Sequence, residues 1–319
     1  MRFGILGNAK IARTQVIPAI LEAGHIPLTI GSRGEPSAWP GAPSMRWTDY
    51  AGVLSDPNVQ AVYIALPNHL HTQWTVAALH AGKHVLCEKP MALSVQESHQ
   101  IQEAMQATGK LAVEAYMVRH HPQWHWLKTE AKLGAIRQIQ VVFNYDNRDP
   151  NNIRNAIALG GGALWDIGCY AVFAGHWLMG RGPDHVSASM QRHPEWGTDI
   201  HTQGTLHWQD VTAGDTHLQF MVSTQSAKSQ SVCVVGEAGW AQLHAPFNPR
   251  HNPHNSTATW APSGGLHHEA QQVVFEPCNA YTNMVNGFAA QIGNDQALDA
   301  LASTVITHTL TRLIDASKT

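Results

Sequence analysis

Short apolar runs alternate with longer amphipathic runs along the first third of the chain. The runs RFGIL, IPLTIGSR, VQAVYIALP, HVLCE and LAVEAY have the length and composition of buried strands. Between them, AKIARTQVIPAILEAG, LHTQWTVAALHAG and SVQESHQIQEAMQATG have the length of helices. The first of these is expected to bend near Pro18, and a capping box formed by Ser94 and Glu97 opens the last. Strands that alternate with helices in this way predict a parallel sheet.

After about residue 118 the pattern changes to period two. The runs IRQIQVVFNYDN, DHVSASMQ, IHTQGTLHWQ, THLQFMVSTQS, SQSVCVVG and WAQLHA alternate apolar and polar positions, and the last five have no predicted helix between them. They predict a large open, mostly antiparallel sheet. Helices are predicted for PQWHWLKTEAKLG, ALWDIGCYAVFAGHWLMG, TNMVNGFAAQIG and ALDALASTVITHTLTRLIDAS, and a long loop for PFNPRHNPHNSTATWAPSGG. The fold class is therefore α/β, with a boundary near residue 118 and an α+β domain over residues 119–319.

Composition and charge exclude several kinds of partner. The 319 residues carry a net charge of −3, only 13% are charged, and no basic stripe is present, so we expect neither a nucleic-acid nor a membrane partner. No apolar run approaches the length of a membrane span, and the N-terminus lacks the pattern of a signal peptide. Four widely spaced cysteines without a CxxC pair favour a reduced, cytoplasmic protein: Cys87, Cys169, Cys233 and Cys278.

Histidine is unusually abundant, with 21 residues against 20 lysines and arginines. Adjacent or alternating histidines could suggest a metal site, but none of them falls in a zinc-binding spacing. We therefore expect no metal. The pairs are His69 with His71, His120 with His121, and His267 with His268.

The turn after the first strand carries a variant of the dinucleotide-binding fingerprint. It reads Gly7-x-Ala9-x-x-Ala12, with Gly7 for the tight turn and Ala12 for close packing of the helix. A pyrophosphate would lie at the helix N-terminus, where free N–H groups favour anions. Ala9 departs from the usual second glycine. The residues of this turn predicted to bind the cofactor are Gly7, Asn8, Ala9, Lys10 and Ile11.

The end of the second strand favours NADP over NAD. It reads Gly31-Ser32-Arg33 and has no carboxylate for a ribose hydroxyl. The hydroxyl of Ser32 and the guanidinium of Arg33 suit a 2′-phosphate through charge-assisted hydrogen bonds. In the alternative interpretation Arg33 is a solvated loop residue and Glu35 fills the acidic role, which would favour NAD.

The tripeptide Glu88-Lys89-Pro90 follows a buried strand, at the edge of a parallel sheet where ligands bind. Together with other stretches it resembles the Gfo/Idh/MocA oxidoreductase family, on the branch of D-xylose 1-dehydrogenase and dimeric trans-dihydrodiol dehydrogenase. The matching stretches are GILGNAKIA, LPNHLHTQWTVAALHAGKHVLCEKP, EAYMVRHHPQW, NIR with ALGGGALWDIGCY, and FEPCNAYTNMVNGF. The resemblance implies a Rossmann NAD(P)-binding domain over residues 1–118 and a substrate-binding and oligomerisation domain over residues 119–319.

The resemblance also implies a catalytic set. Lys89 is the catalytic lysine near the nicotinamide, Tyr170 the proton donor and acceptor, and Asp166 a substrate-holding residue. Asp166 and Tyr170 are four residues apart and share one face of a helix. A lysine within about 4–6 Å would lower the tyrosine pKa from about 10. Asp166 could instead only offset the helix dipole, and Tyr170 could be a core tyrosine.

Further site residues follow from the same resemblance. Leu66, Pro67, Asn68, His71, Glu88 and Lys89 are expected to contact the cofactor. Arg119, Asn152, Arg154 and Tyr281, with Phe247, are expected near the substrate, although either arginine could be a structural ion-pair partner. His120 stands where the family commonly has an aromatic residue, which puts the exact sugar in doubt.

The predicted function is NADP-dependent hydride transfer between nicotinamide and a carbinol or carbonyl carbon of a small sugar, polyol or vicinal diol. A homodimer is expected through the open face of the large sheet. Two alternatives remain: a reductase of another carbonyl, such as a ketosugar or aromatic aldehyde, and a non-catalytic NADP-binding sensor. A sensor has no need of Lys89, Asp166 and Tyr170, and the fingerprint argues against a pure interaction protein.

Overall fold

The computed structural model describes residues 1–34, 45–249, 255–265, 269–293 and 298–318. The chain divides into two compact units, Met1–His120 with Asn279–Thr304, and His121–Cys278 with Val305–Thr319. The sequence-based division placed all of residues 119–319 in one domain. Residues 279–304 group with the first unit because Phe288 packs against Phe3, and the Glu22 carboxylate accepts hydrogen bonds from Asn279 and Thr282.

The first unit contains a six-stranded sheet in the order β3-β2-β1-β4-β5-β6, with all neighbours parallel. This confirms the predicted parallel sheet, and β3 is an additional strand. The order reverses between β1 and β4, and the carboxyl edge at such a reversal is where ligands bind in doubly wound folds. The strands are β1 Arg2–Leu6, β2 Ile26–Gly31, β3 Arg46–Thr48, β4 Ala61–Ile64, β5 His84–Cys87 and β6 Ala112–Glu114.

The helices of the first unit follow the predicted runs, apart from α2, which was not predicted. A π-helical turn, Ala12–Val16, lies directly before α1, which contains Pro18, and the bend expected there stays a prediction. The N-cap of α4 is confirmed, since Ser94 Oγ accepts from the Glu97 N–H. The Glu97 carboxylate accepts from the N–H of Leu93, one residue before the N-cap, rather than from that of Ser94. The helices are α1 Ile17–Glu22, α2 Tyr50–Ser55, α3 His71–His80, α4 Val95–Thr108 and, later in the chain, α7 Ala280–Gln291.

The second unit contains an eight-stranded sheet in the order β14-β13-β12-β11-β7-β10-β9-β8. Among the described strands of this second sheet, β7 and β10 form the only parallel pair. The prediction of a mostly antiparallel sheet is therefore confirmed. The strands are β7 Ile136–Asp146, β8 His185–Arg192, β9 Asp199–Trp208, β10 Thr216–Ser223, β11 Gln225–Gly236, β12 Gly239–Leu243, β13 Ser256–Pro262 and β14 Gln271–Phe275.

The predicted loop over PFNPRHNPHNSTATWAPSGG is wrong for its second half. Residues Ser256–Pro262 form β13, which pairs with β12 and β14. The prolines and asparagines ahead of this run obscured its short alternating pattern. His267 and His268, considered above as a possible metal pair, lie outside the described residues.

Helix α6 (Cys169–Met179) continues a π-helical turn, Leu164–Gly168, and packs on the inner face of the second sheet. A Cβ on Gly175 would lie 2.7 Å from the Trp208 ring, so this glycine lets the helix approach the sheet closely. The stretch Ile157–Met179 has the length and hydropathy of a membrane span, contrary to the sequence analysis, but it is 72% buried in the protein. Such burial is typical of a core helix. The other helices are α5 Pro122–Thr129 and α8 Leu298–Ala316.

Candidate active site

The predicted cofactor turn begins at Gly7, where the backbone admits only glycine. Gly7 has a φ of +103°, and a Cβ there would lie 2.4 Å from the Ala65 carbonyl oxygen. Its N–H donates to the Gly31 carbonyl at 2.9 Å, which holds the turn between the ends of β1 and β2. Ala12 is fully buried, as close helix packing requires. Asn8 and Lys10 are exposed and Ala9 and Ile11 half-buried, so this turn can receive a pyrophosphate.

The end of β2 presents a guanidinium. Arg33 is exposed, whereas Ser32 is buried and its hydroxyl is engaged within the protein. That hydroxyl donates to the Gly34 carbonyl and accepts from Trp47 Nε1 at 3.1 Å. Ser32 therefore shapes the turn, and Arg33 is the group best placed to meet a 2′-phosphate. Glu35, the acidic alternative, lies outside the described residues.

The Glu88-Lys89-Pro90 tripeptide stands at the carboxyl end of β5, as predicted, and its Lys89–Pro90 peptide bond is cis. The Glu88 carboxylate accepts a hydrogen bond from the hydroxyl of Tyr63 at 2.7 Å. Burial, and then the charge of Glu88, raise the pKa of both Tyr63 and Tyr281. These phenols therefore stay protonated beside Glu88, whose side chain fixes the strand end.

His71 links two loops at the same edge of the sheet. Its Nδ1 lies 2.7 Å from the Pro90 carbonyl oxygen and its Nε2 lies 2.7 Å from that of Leu66. Burial lowers the pKa of His71, and the two carbonyl oxygens oppose that effect. A neutral imidazole donates from only one nitrogen, so in that state only one of these two contacts is a hydrogen bond. The ring is only 1% exposed, and a cofactor contact by His71 stays a prediction.

Leu66, Pro67 and Asn68 lead from β4 into a short 3-10 turn, Asn68–Leu70. Leu66 is buried, while Pro67 and Asn68 are half-buried at the carboxyl edge. They lie where the fold places a cofactor, and their contacts with it stay predictions.

Glu114 was not predicted as a site residue. It ends β6, is 7% exposed, and its carboxylate accepts from the Met91 N–H at 2.9 Å. Burial raises the pKa of Glu114 to about 7, and the charge of Lys89 acts in the opposite direction. A glutamate inside the apolar run LAVEAY is the signal that could have identified it. Glu114 thus positions the loop that follows Lys89.

In the second unit, Asp166 lies in the π-helical turn before α6 and is 8% exposed. Its carboxylate accepts from the Tyr145 hydroxyl and from Arg154 Nε, the latter at 3.1 Å. The structure therefore joins Asp166 and Arg154, two predicted site residues, in one ion pair. Arg154 is ion-paired and still 47% exposed, so its contact with a substrate stays a prediction. Tyr145 was not predicted, because its pairing with Asp166 spans 21 residues.

Tyr170 is held by aromatic neighbours. The ring of Phe143 meets it edge-on at 5.5 Å between centroids, and that of Phe247 at 5.3 Å. Phe247 is fully buried, so it supports the ring of Tyr170 from within the core. Tyr170 itself is 7% exposed. Its position four residues after Asp166 places both side chains on one helix face.

Two glycines of the triple glycine before α6 are in close contact with other parts of the chain. A Cβ on Gly161 would lie 2.4 Å from the Arg154 carbonyl oxygen, and one on Gly162 would lie 2.1 Å from Asp199 Oδ1. The buried carboxylate of Asp199 accepts from the Leu164 N–H at 2.7 Å and from the Thr202 hydroxyl at 2.6 Å. Burial raises the pKa of Asp199. These glycines thus make room for a backbone carbonyl at one position and for a carboxylate at the next.

The remaining predicted substrate residues divide between the units. Arg119 lies in the 3-10 turn Met117–His120 of the first unit, and Tyr281 lies in the first turn of α7. In the second unit, Asn152 Oδ1 accepts from the Arg154 N–H at 3.1 Å and caps the turn that carries this arginine. These residues keep a substrate role as a prediction.

Glu114→Gln tests the buried carboxylate. Because its folded pKa is raised from 4.5 to about 7, its contribution to stability is present below pH 4.5 and is lost as pH rises through 7. Glutamine stays neutral at every pH. As pH rises from 5 to 8, the unfolding free energy of the variant should therefore increase relative to that of wild type by on the order of 3 kcal/mol. Chemical denaturation at several pH values measures this difference. Glu103→Gln, on the exposed face of α4, is the matched control, and identical curves for both variants would contradict the assignment.

Comparison with known proteins supplies the family. The model of the Gfo/Idh/MocA oxidoreductase family with an NAD-binding Rossmann fold matches residues 1–116, and the Gfo/Idh/MocA C-terminal domain matches residues 127–242. D-xylose 1-dehydrogenase (NADP(+)) 2 of Haloferax volcanii is 31% identical over 330 residues, covering 100% of this chain and 98% of that protein. Trans-1,2-dihydrobenzene-1,2-diol dehydrogenase of Macaca fascicularis is 30% identical over 200 residues, covering 62% and 58% of the two chains.

A solved structure shows the same fold. It is that of KijD10, a 3-ketoreductase from Actinomadura kijaniata in complex with NADP and TDP-benzene, with a TM-score of 0.88 and 24% identity. The match covers 99% of this chain and 97% of that one. The resemblance stated from the sequence is confirmed. The chain belongs to the Gfo/Idh/MocA oxidoreductase family.

Proposed function

We propose that the protein is an NADP-dependent oxidoreductase that transfers a hydride between nicotinamide and a carbinol or carbonyl carbon of a small sugar, polyol or vicinal diol. The observation that carries this proposal is the pairing of Asp166 with Arg154 one helical turn before Tyr170, in a chain that also has Lys89 at the carboxyl edge of a Rossmann sheet. The activities of the xylose and dihydrodiol dehydrogenases support the substrate class.

Each residue then has one role in the reaction. NADP supplies the hydride acceptor or donor when bound, held by the Gly7 turn and Arg33. In the oxidative direction Tyr170, as the phenolate, takes the hydroxyl proton as the hydride leaves the carbinol carbon. Lys89 polarises the reacting oxygen, and Asp166 accepts a hydrogen bond from a substrate hydroxyl. Arg154 and Tyr145 keep the Asp166 carboxylate oriented for that bond.

Tyr170→Phe tests the proton-transfer role. The variant keeps the ring and its aromatic contacts but loses the hydroxyl, so kcat should fall at least about a hundredfold. The assay follows the absorbance of reduced nicotinamide with aldoses, polyols and trans-diols, using NADP and NAD separately. Tyr50→Phe in α2 is the control and should keep wild-type activity.

The substrate panel also distinguishes the alternatives. A Tyr170→Phe variant as active as wild type would contradict the mechanism. Turnover only of ketosugars or aromatic aldehydes would replace the substrate class by the alternative reductase. Tight NADP binding without turnover of any carbonyl or alcohol would favour the sensor.

Arg33→Ala tests the choice of cofactor. Loss of a charge-assisted contact with the 2′-phosphate should weaken NADP binding at least about tenfold and leave NAD binding unchanged. Fluorescence titration of both cofactors measures this, with Arg2→Ala at the opposite edge of the sheet as control. Equal affinity of wild type for NADP and NAD would reject the assignment.

The outer face of the second sheet supports a homodimer. Alternation along the strands places uncharged side chains on this face, among them Gln140, Gln203, Thr205, Gln219 and Met221. A groove of 640 Å³ runs between them. Depletion of charge is typical of the centre of a protein interface. We infer that a second copy of this chain covers this face.

Met221→Asp tests that interface. Met221 is 46% exposed at the centre of the face, and an unpaired carboxylate there should weaken association at least about tenfold. Val211→Asp makes the same kind of change in a turn, where the side chain is 102% exposed, and should leave association unchanged. Sedimentation equilibrium of both variants measures the dissociation constant. Equal constants for wild type and Met221→Asp would place any dimer elsewhere.

A cytoplasmic location is part of the same proposal. All four cysteines are free, and Cys87 and Cys169 are buried. Burial raises the pKa of Cys87, Cys233 and Cys278, which keeps these groups as thiols. A reduced set of this kind suits a reducing compartment.

A further inference from the structure

A cluster of two imidazoles and a carboxylate lies where β9 and β10 are joined. His207 is near the end of β9, and Asp215 and His217 flank the start of β10. One ring nitrogen from each histidine and one carboxylate oxygen all lie within 4.8 Å of one another. The sequence analysis did not single out these residues, because 8 and 10 residues separate His207 from the other two.

The register of the sheet fixes the two histidines. His207 and His217 are direct partners across the antiparallel β9–β10 pair. Their rings stack with centroids 4.3 Å apart and planes inclined by 8°. Because an imidazole binds a metal ion in its own plane, one of the two rings must rotate for both to share an ion. Directly opposed side chains have Cβ atoms about 4.5–5.5 Å apart, so the backbone holds both rings close before any ligand arrives.

Asp215 is oriented by two hydrogen bonds. Its Oδ2 lies 2.9 Å from His207 Nε2, and its Oδ1 accepts from the Asp210 N–H at 3.2 Å. Both hydrogen bonds lower the pKa of Asp215, and the bond with His207 has the larger effect. The Asp215 side chain is therefore a carboxylate near neutral pH. The side chain of His207 is 21% exposed and that of Asp215 is 48% exposed. In the single chain, an ion can therefore reach the cluster from solvent.

We propose that His207, Asp215 and His217 form a binding site for a divalent transition-metal ion of the zinc class. Two imidazole nitrogens and one carboxylate oxygen are the ligand types that zinc takes in proteins, and three protein ligands leave a position for water. The ion takes the place of the contact between His207 Nε2 and Asp215 Oδ2. Hard cations such as Mg²⁺ prefer oxygen ligands and are disfavoured here.

Neighbouring groups are compatible with this assignment. His185 is the direct partner of His207 on the other side of β9, with ring centroids 5.7 Å apart, and extends the row of imidazoles. The Arg137 guanidinium lies close to Gly214 in the turn before Asp215, but it is paired with the Glu237 carboxylate. This guanidinium therefore already has an acidic partner.

The metal site is separate from the part of the candidate active site that the second unit carries. His217 is opposite Gln138 near the start of β7, whereas Tyr145, which binds Asp166, lies seven residues further along that strand. At about 3.3 Å per residue the two positions are roughly 23 Å apart. His217 also points to the outer face, while Tyr170 and α6 pack on the inner face. The ion would join β9 to β10 and take no part in hydride transfer.

Calorimetric titration with Zn²⁺ tests the proposal on the full chain after removal of metals with a chelator. Wild type should bind one ion per chain at this site. His217→Phe keeps a stacking ring but has no ligand atom, and Asp215→Asn keeps the size of the side chain but loses its charge. Both should weaken binding at least about tenfold. His308→Phe, which changes an exposed histidine on α8, is the matched control and should bind like wild type.

Two further readouts separate the site from scattered surface histidines. Zn²⁺ should raise the Tm of wild type and of His308→Phe, and do so less for His217→Phe, since an ion bound only to the folded state stabilises it. Mg²⁺ in excess should not displace Zn²⁺. Equal Zn²⁺ affinity and equal Tm shifts for His217→Phe and His308→Phe would overturn the proposal.

Discussion

The hydrogen bonds that hold the loop after β5 are the constraint on which the first unit's part of the site depends. His71 contacts the Pro90 carbonyl, and the Glu114 carboxylate accepts from the Met91 N–H, so the loop is held on both sides directly after Lys89. Both partners are buried, and a buried polar group that loses its partner is costly. The backbone directly after Lys89 is therefore held rigidly. Rigidity matters because misplacement of a catalytic group by about 1 Å can cost on the order of a hundredfold in rate.

The second unit uses the same kind of support around Tyr170. Asp199 fixes the start of the helix through the Leu164 N–H, and Gly162 makes room for its carboxylate. Asp166 is held in turn by Tyr145 and Arg154. A carboxylate with two donors on it has few alternative orientations, so a substrate hydroxyl meets a preorganised acceptor. In each unit the residue expected to do chemistry is supported by a buried carboxylate that is distant in sequence.

Hydrophobic periodicity predicted most of the fold, since the repeats of two and about 3.6 residues are local properties of the chain. The apolar runs that form β1, β2, β4 and β5 were long enough to identify in the sequence. By contrast, two strands gave little sequence periodicity to detect. Strand β3 has only three residues, and β13 follows a proline- and asparagine-rich stretch. The insertion of β7 between β10 and β11 also could not be predicted, because strand order depends on tertiary packing rather than on local pattern.

Only those residues of the candidate site that lie within recognisable sequence motifs could be predicted. Lys89 and Tyr170 lie in recognisable stretches, whereas the ion pair between Arg154 and Asp166, two residues of the predicted site, became visible only in the structure. The supporting partners were not found, because their pairings depend on which strand ends become neighbours. Glu114 meets Met91 across 23 residues, and Tyr145 meets Asp166 across 21. A charged residue inside an apolar run, as at Glu114, is the one local signal that such a partner exists.

The departure at His120 has a structural explanation that bears on the substrate. Its ring lies against Gly287 of α7, where a Cβ would be 2.5 Å from the imidazole Cε1. The His120 carbonyl also accepts from Asn283 Nδ2 at 3.2 Å, so this residue is committed to α7 through both its ring and its backbone. An imidazole at this position is thus accommodated by a glycine two turns into the helix. The departure from an aromatic residue is therefore tied to Gly287, and its effect on the choice of sugar stays a prediction.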